Sequence, residues 1–150
     1  MPNRLAAGAA GFLIGVAVMS VTTAHSSQAR RYVNARSASN PANATQAPFS
    51  GAVMIDDTVF LSGVLGTGET AEAAARSGLN NIQNSLKAAG LTMDDLVSVQ
   101  VFCPNVADYD AFNQVYRTYF TAEFPARAFI GSGPLLQNAR FEIQGIAVRR

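Results

Sequence analysis

Apolar residues recur along residues 46–150 with two different periods. A period of two is typical of strands that bury one face, and it predicts strands over 52–55, 58–62, 96–103, 126–131 and 141–149. A period near 3.6 predicts one helix over 70–87 and a second helix that begins at Asp108. The order β-β-α-β-α-β-β predicts an α+β fold, in which a single sheet carries two helices on one face.

Turn and cap residues mark the ends of these elements. Asp56-Asp57, between the first two strands, predicts a tight hairpin. The segment 63–68 (GVLGTG) is rich in glycine but lacks the spacing of a phosphate-binding loop, so we expect a plain loop. Thr70 stands where it can cap the first helix, and Gly90 stands where it can close it.

The apolar stripes predict the core. In the first helix the stripe comprises Ala75, Leu79, Ile82, Leu86 and Ala89. In the second helix it comprises Tyr109, Phe112, Tyr116 and Phe120. In strand 96–103 it comprises Val97, Val99, Val101 and Cys103. About 100 residues enclose only a small core, so we expect the other sheet face to pack against another copy of the chain.

Residues 1–29 have the order of a secretory signal peptide. Arg4 precedes an uncharged run over 5–24 that is rich in Ala, Gly and Val, and small polar residues follow. This order predicts an exported protein, periplasmic or secreted. One alternative is an uncleaved membrane anchor, because about 20 apolar residues can span a bilayer, and another is an organelle transit peptide. Arg30 and Arg31 follow the run closely, and positive charges there oppose translocation.

Residues 30–45 are rich in Ala, Asn and Ser and show no periodicity, so they are predicted to form a flexible linker. The folded domain is predicted over 46–150. Contact with a membrane is expected only if the leader stays uncleaved.

Composition and charge exclude several classes of function. Residues 51–150 hold seven basic and ten acidic residues, a net charge of −3. Nucleic-acid binders gain much of their affinity from Lys and Arg set against phosphates, so no nucleic-acid partner is expected. The chain has one Cys, and its one His, His25, lies in the leader. A multi-Cys metal site and a His-dependent triad in the domain are therefore excluded, and Cys103 is expected to be a core residue rather than a nucleophile.

Three polar side chains stand among apolar neighbours. Arg127 is in phase with Phe129 on a predicted strand without an acidic neighbour, so it needs a carboxylate partner from the protein or from a ligand. Glu142 interrupts an apolar strand, where a carboxylate either pairs with an Arg or handles protons. Asn113 lies beside the aromatic stripe of the second helix, where it either fixes a neighbouring loop or contacts a ligand.

Seven short segments of the domain together form a recognisable pattern. They are PFSGAV at 48–53, FLSG at 60–63, NNI at 80–82, LKAAG at 86–90, DAFNQVY at 110–116, FPAR at 124–127 and FEI at 141–143. This pattern resembles the RidA/YjgF family of imine deaminases. The resemblance covers about residues 46–150 and none of the leader.

The resemblance implies a chorismate-mutase-like single mixed sheet and a homotrimer with ligand sites between subunits. It also implies hydrolysis of reactive 2-imino or enamino acids, such as 2-iminobutanoate and 2-iminopropanoate, to 2-oxo acids and ammonia without a cofactor or a metal. The family arginine that clamps the substrate carboxylate matches Arg127, and the glutamate that orders or activates water matches Glu142. Two further family positions that bind the substrate match Ser62 and Asn113.

Two substrate-binding positions depart from the family pattern. Phe49 stands where a tyrosine is usual, and Phe129 stands where a cysteine is usual. Because side chains two apart on a strand share a face, we expect the Phe129 ring beside Arg127, where it narrows the pocket and favours small imines.

Two other functions compete with imine hydrolysis. A non-catalytic trimer that binds small carboxylates uses the same arginine, and the departures at Phe49 and Phe129 favour it. A ribonuclease, the other label that family members carry, is disfavoured by the negative net charge of the domain.

Overall fold

The computed structural model describes residues 29–33 and 48–150, which form one mixed sheet and two α-helices. The strands are β1 Arg30–Val33, β2 Ala52–Ile55, β3 Thr58–Gly66, β4 Leu96–Cys103, β5 Ala126–Gly131 and β6 Phe141–Val148. The helices are α1 Ala71–Ala89 and α2 Tyr109–Tyr116. The strand order is β1-β2-β3-β6-β4-β5, in which β4 and β5 run parallel and the other neighbours antiparallel. The α+β class and the five predicted strands are confirmed.

Strand β1 corrects part of the predicted linker over 30–45. It pairs antiparallel with β2 along its whole length, and its last residue, Val33, is buried. The Arg31 guanidinium donates to the carbonyl oxygen of Ala89, at the end of α1, over 3.2 Å. Four residues are too few to show a period, so the sequence pattern did not reveal this strand.

The predicted leader and most of the predicted linker lie outside the residues that the structure describes. These segments are 1–28 and 34–47. Within the part that is described, no helix combines the length and the apolar character needed to cross a membrane.

Helix α1 follows its sequence signals closely. The Thr70 side chain accepts a hydrogen bond from the Ala73 amide at 3.1 Å. Gly90 ends the helix in the left-handed conformation, with φ 79°, which glycine adopts without steric cost. All five residues of the predicted stripe are buried, and the helix packs on β3, β6 and α2.

Helix α2 buries a different stripe from the one predicted. Phe112 and Tyr116 are buried as expected, and Val115 joins them. Tyr109 is 44% exposed, and Phe120 lies beyond the helix, where it is partly buried. The helix has only eight residues, so the regular stripe does not continue through its flanking turns.

A β-bulge in β3 explains why the sequence placed the end of this strand too early. The pairing of β3 with β6 shifts after Leu61, so that Ser62 and Gly63 together lie opposite Gln144. An extra residue resets the alternation of faces, which looks like the end of a strand in the sequence. Strand β3 continues to Gly66, so the loop predicted over 63–68 is wrong over its first four residues.

A second irregularity lies at the start of β4. The pairing with β6 shifts between Leu96 and Ser98. Val97 is consequently 48% exposed, which corrects its predicted place in the core, and Leu96 is buried instead. The rest of the predicted face is buried as expected: Val99, Val101 and Cys103. Burial raises the pKa of the Cys103 thiol, as expected for a core cysteine rather than a nucleophile.

The two faces of the sheet differ in character. The face under the helices carries the buried side chains of the core, among them Val59, Leu61, Val101 and Ile143. The other face carries the 45% exposed Phe60 and a polar pair, in which Gln144 Nε2 donates to Gln100 Oε1 at 2.5 Å. This second face is open in the single chain.

Candidate functional site

Arg127 extends from β5 on the helix-covered face of the sheet. It lies opposite the buried Val99 of β4, and residues paired across two strands share a face. Its Nη2 donates to Oδ1 of Asn113 on α2 at 2.6 Å. The structure thus brings together two of the predicted site residues.

Aromatic rings hold the Arg127 guanidinium without neutralising its charge. Its Cζ lies 4.5 Å from the ring centre of Tyr116 and 5.8 Å from the ring centres of Tyr109 and Phe112. A cation held over aromatic faces is attracted by their quadrupoles. Among the ion pairs formed by the described residues, none includes Arg127. Among the described residues, the guanidinium therefore has no protein carboxylate as a partner.

A cavity of about 260 Å³ opens beside this guanidinium. Its lining residues are Asn113, Tyr116, Arg117, Phe124, Pro125 and Arg127. The Tyr116 hydroxyl is buried, and no hydrogen-bond partner for it occurs in the part of the chain that the structure describes. Burial raises the pKa of Tyr116 to about 12, although the nearby charge of Arg127 acts in the opposite direction. Tyr116 therefore stays protonated at neutral pH.

Phe129 lies beside Arg127 but outside the cavity described above. It shares the face of Arg127, as the spacing predicts, because the two residues lie opposite the buried Val99 and Val101. Its ring, however, packs against other rings: the centres of Tyr109, Phe112 and Phe141 lie 5.0, 5.5 and 6.4 Å away. The residues that line the Arg127 cavity do not include Phe129. Phe129 thus does not line this cavity in the single chain, and its effect on substrate size stays a prediction.

Glu142 lies on the open face of the sheet. Its neighbours along β6, Phe141 and Ile143, are buried under the helices, and successive side chains of a strand point to opposite faces. A cavity of about 560 Å³ contains Glu142 together with Ser62 and Phe49. Three of the predicted site residues thus share this second cavity.

Gly63 makes room for the Glu142 carboxylate. A Cβ atom at position 63 would overlap with Glu142 Oε1 and lie 3.1 Å from Cδ. Any larger residue must therefore displace the carboxyl group. Sequence reasoning missed Gly63 because it assigned this residue to a loop.

The preceding strand residue, Ser62, is also held in place. Its hydroxyl donates to the backbone oxygen of Ser50 at 2.6 Å. The bulge in β3 therefore carries both a fixed hydroxyl and the space that Glu142 occupies.

The six predicted residues form two separate groups. Arg127 and Asn113 line one cavity under the helices, and Phe129 lies in the neighbouring aromatic cluster. Glu142, Ser62 and Phe49 line the other cavity, on the opposite face of the sheet. A small ligand on Arg127 therefore cannot reach Glu142 of the same chain.

The described residues were also compared with the requirements of a metal site. In the described ranges, 29–33 and 48–150, no three His, Cys, Asp or Glu side chains cluster closely enough to hold a metal ion.

With this geometry established, the chain can be compared with known proteins. The model of the family described as endoribonuclease L-PSP matches residues 39–149. The 2-iminobutanoate/2-iminopropanoate deaminase of Dermatophagoides farinae is 36% identical over 110 residues, which cover 67% of this chain and 85% of the relative. The chain belongs to the RidA/YjgF family. The human protein of the same name is 33% identical over 111 residues, which cover 68% of this chain and 80% of that protein.

Solved structures of RidA/YjgF proteins show the same fold. The YjgF gene product of E. coli matches with a TM-score of 0.67 and 30% identity, over 70% of this chain and 91% of that one. E. coli TdcF with bound serine matches with a TM-score of 0.67 and 28% identity, over 69% and 90%. The single mixed sheet with two helices that the family resemblance predicts is therefore confirmed.

Proposed function

We propose that this RidA/YjgF protein hydrolyses reactive 2-imino and enamino acids, such as 2-iminobutanoate and 2-iminopropanoate, to 2-oxo acids and ammonia. The observation that carries the proposal is a charged Arg127 held by an amide and aromatic rings, with no ion-pair partner in the described part of the chain. Such an arginine suits a ligand carboxylate. The names of the relatives, which are imine deaminases, support the same substrate class.

The complete site is proposed to form between two copies in a homotrimer. The two cavities lie on opposite faces of one sheet, so a ligand that uses both Arg127 and Glu142 must take them from different subunits. The open sheet face, with the half-exposed Phe60, provides apolar surface for such contacts. TdcF was solved with bound serine, which carries a carboxylate and is about as small as the proposed 2-imino acid substrates.

Arg127 is proposed to hold the substrate carboxylate. A guanidinium forms two parallel hydrogen bonds to a carboxylate, which fixes its orientation as well as its position. The Asn113 oxygen accepts from Nη2 and so limits the rotation of the guanidinium. Holding the substrate in one orientation supplies much of the catalysis, because a protonated imine is already electrophilic.

Glu142 is proposed to move the protons. The carboxylate takes a proton from water while the water oxygen bonds to the imine carbon, and the π electrons of the C=N bond move to nitrogen. Glu142 then returns that proton to the amine nitrogen. Glu142 next takes the proton of the hydroxyl group as the C=O bond forms and the C–N electron pair leaves with nitrogen, and it passes this proton to the departing ammonia, so that ammonium and the 2-oxo acid leave and the carboxylate is restored. Every proton in this sequence comes from water or from the substrate, so no cofactor is needed.

Release of ammonia from freshly generated 2-iminopropanoate tests this function. Arg127→Ala should weaken binding by roughly 2–5 kcal/mol, the cost of removing one partner of a desolvated charged pair, and Arg127→Lys should recover only part because an ammonium lacks the planar fork. Glu142→Gln should keep affinity for 2-oxobutanoate and lose turnover. Arg76→Ala, which removes an exposed charge on α1, is the control.

Two outcomes would contradict the proposal. Wild-type binding of 2-oxobutanoate without any ammonia release would identify a carboxylate-binding trimer instead of an enzyme. Unchanged 2-oxobutanoate binding in Arg127→Ala would make Arg127 a structural residue only.

Two further properties are proposed from the sequence. RNA is not proposed as a substrate, although the family model is described as an endoribonuclease, because residues 51–150 carry a net charge of −3. Export through the leader over 1–29 is proposed from the pattern of Arg4 and the apolar run that follows it.

A further inference from the structure

The cavity at Glu142 has a strongly apolar wall. Phe49, Phe60 and Leu136 all line it, and they are 53%, 45% and 77% exposed. Of the described residues that line this cavity, Glu142 alone is charged. Large apolar side chains are rarely left so exposed together unless they meet a partner or a ligand.

Leu136 is held at this cavity by an unusual turn. The two residues after it, Gln137 and Asn138, have φ values of 56° and 52°, and the Ala139 amide donates to the Leu136 carbonyl oxygen at 3.1 Å. Consecutive left-handed residues other than glycine are uncommon and costly. With this turn, the Leu136 side chain stays exposed to solvent. A leucine side chain would gain free energy if it were buried in the core instead.

The geometry of a 2-imino acid indicates what this wall contacts. The imine carbon has three substituents in one plane, namely the carboxylate, the nitrogen and the side chain. In the proposed reaction the carboxylate lies on Arg127 of one subunit, and the nitrogen and the attacking water lie at Glu142 of another. The third substituent then points away from both groups, and the uncharged wall beside Glu142 is an apolar surface that suits it.

We propose that Leu136, with Phe49, forms a subsite for the substrate side chain, and that the protein prefers 2-imino acids with aliphatic side chains of several carbons to 2-iminopropanoate. This inference rests on the proposed function and specifies its substrate class. Leu136 is the specificity-determining residue. The direction is opposite to the preference for small imines expected from Phe129, whose ring lies in the aromatic cluster under α2.

Binding of 2-oxo acids, the products, tests the subsite without requiring turnover. Calorimetric titration of the full-length protein should show tighter binding of 4-methyl-2-oxopentanoate than of 2-oxopropanoate, by about tenfold or more, as an apolar pocket discriminates between side chains. Leu136→Ser should reduce this ratio about fivefold while 2-oxopropanoate binds as before. Because Leu136 is exposed, the substitution should not affect folding. Val106→Ser, at an exposed apolar residue that does not line this cavity, is the matched control and should keep the wild-type ratio.

The outcomes separate the inference from the function on which it rests. An unchanged ratio in Leu136→Ser, or tighter binding of 2-oxopropanoate by the wild type, overturns the subsite even if ammonia is released. The expected ratios without ammonia release from any imine support the subsite and overturn the hydrolysis. Absence of binding of either 2-oxo acid overturns both.

Discussion

Arg127 and Glu142 lie on opposite faces of the same sheet. The side chain of Arg127 shares a face with the buried Val99, and that of Glu142 points away from the face of the buried Ile143. Since the carboxylate clamp and the proton carrier are proposed to act on one substrate, each chain contributes half of two different sites. The proposed function therefore requires contact between subunits, beyond the fold of one chain.

Mixed oligomers test this dependence. Arg127→Ala and Glu142→Gln subunits, each inactive alone, should regain activity when they are co-expressed with different affinity tags and isolated together. In a closed trimer that contains both kinds of subunit, one of the three sites joins an intact arginine to an intact glutamate, whichever kind is in the majority, so about one third of wild-type activity is expected. Ammonia release and light scattering are the measurements. Mixtures as inactive as their parents would show that both residues must come from one chain.

Asn113 is predicted to position Arg127 rather than to touch the substrate. Asn113→Leu removes an acceptor from a charged donor, an interaction worth about 1.5–3 kcal/mol, so binding of 2-oxobutanoate should weaken tenfold or more at about 1.4 kcal/mol per factor of ten. In an Arg127→Ala background the same change should have no further effect, because the two residues act as a unit. Gln114→Leu, an exposed neighbour on α2, is the control. A further loss in the double variant would indicate direct contact between Asn113 and the ligand.

The space at Gly63 is predicted to affect turnover more than binding. Gly63→Ala forces the Glu142 carboxyl group to move, and a displacement of about 1 Å at a reacting group can cost about 100-fold in rate. Turnover of 2-iminopropanoate should fall by that order, and the affinity for 2-oxobutanoate should change little. Gly133→Ala introduces the same methyl group where no atom lies within 4 Å, and it should behave as wild type. Equal turnover in both variants would show that the position of Glu142 is not critical.

Tyr116 should make the protein sensitive to alkaline pH. Burial raises its pKa to about 12 from an ordinary value of 10.0, so the folded state holds this proton more tightly than the unfolded chain does. The resulting contribution to stability is complete below pH 10 and is lost as the pH rises toward 12. Tyr116→Phe should therefore lose less stability than wild type over this range in denaturant titrations. Parallel pH profiles for the two proteins would contradict the assignment.

Strand β1 limits where the proposed leader can be cleaved. Cleavage beyond Arg30 would remove residues that pair with β2, so N-terminal sequencing of the exported protein should find a first residue no later than Arg30. Replacing the apolar run, for example by Leu13→Arg with Val16→Arg, should retain the protein in the cytoplasm. A soluble cytoplasmic protein that still begins at Met1 or Pro2 would show that the leader is not a signal peptide, and a full-length product in membranes would indicate an anchor.

Local signals predicted most of the fold, because each of them acts within a few residues. The Thr70 cap, the Gly90 terminator and the stripe between them are all interactions of α1 with itself or with one sheet face. The bulges in β3 and β4 could not be found in this way, because a bulge is defined by the partner strand as well as by its own residues. The same holds for Phe129: its face follows from its spacing to Arg127, whereas its ring contacts depend on where α2 crosses the sheet.

The sequence partly indicated that Arg127 and Glu142 lie on opposite faces of the sheet. Glu142 is out of phase with the apolar residues of its strand, and Arg127 is in phase with Phe129. Such a pattern shows which side chains of one strand point to the same side, but it does not show how the sides of two strands correspond. The strand order β6-β4-β5 is needed to relate the two, and it arises from contacts between segments distant in the chain.

The bulge in β3 has a consequence for how this protein can change over evolution. Residues before and after it, such as Val59 and Gly66, are buried under α1, while the inserted pair Ser62-Gly63 faces the Glu142 cavity. Substitutions at the pair can therefore alter the chemistry of the cavity without a matching change in the core. Loss of a single residue at the pair would remove the bulge, because one residue would then lie opposite Gln144, and the positions through Gly66 would keep their faces. A deletion at this point should therefore spare the core and change only the cavity.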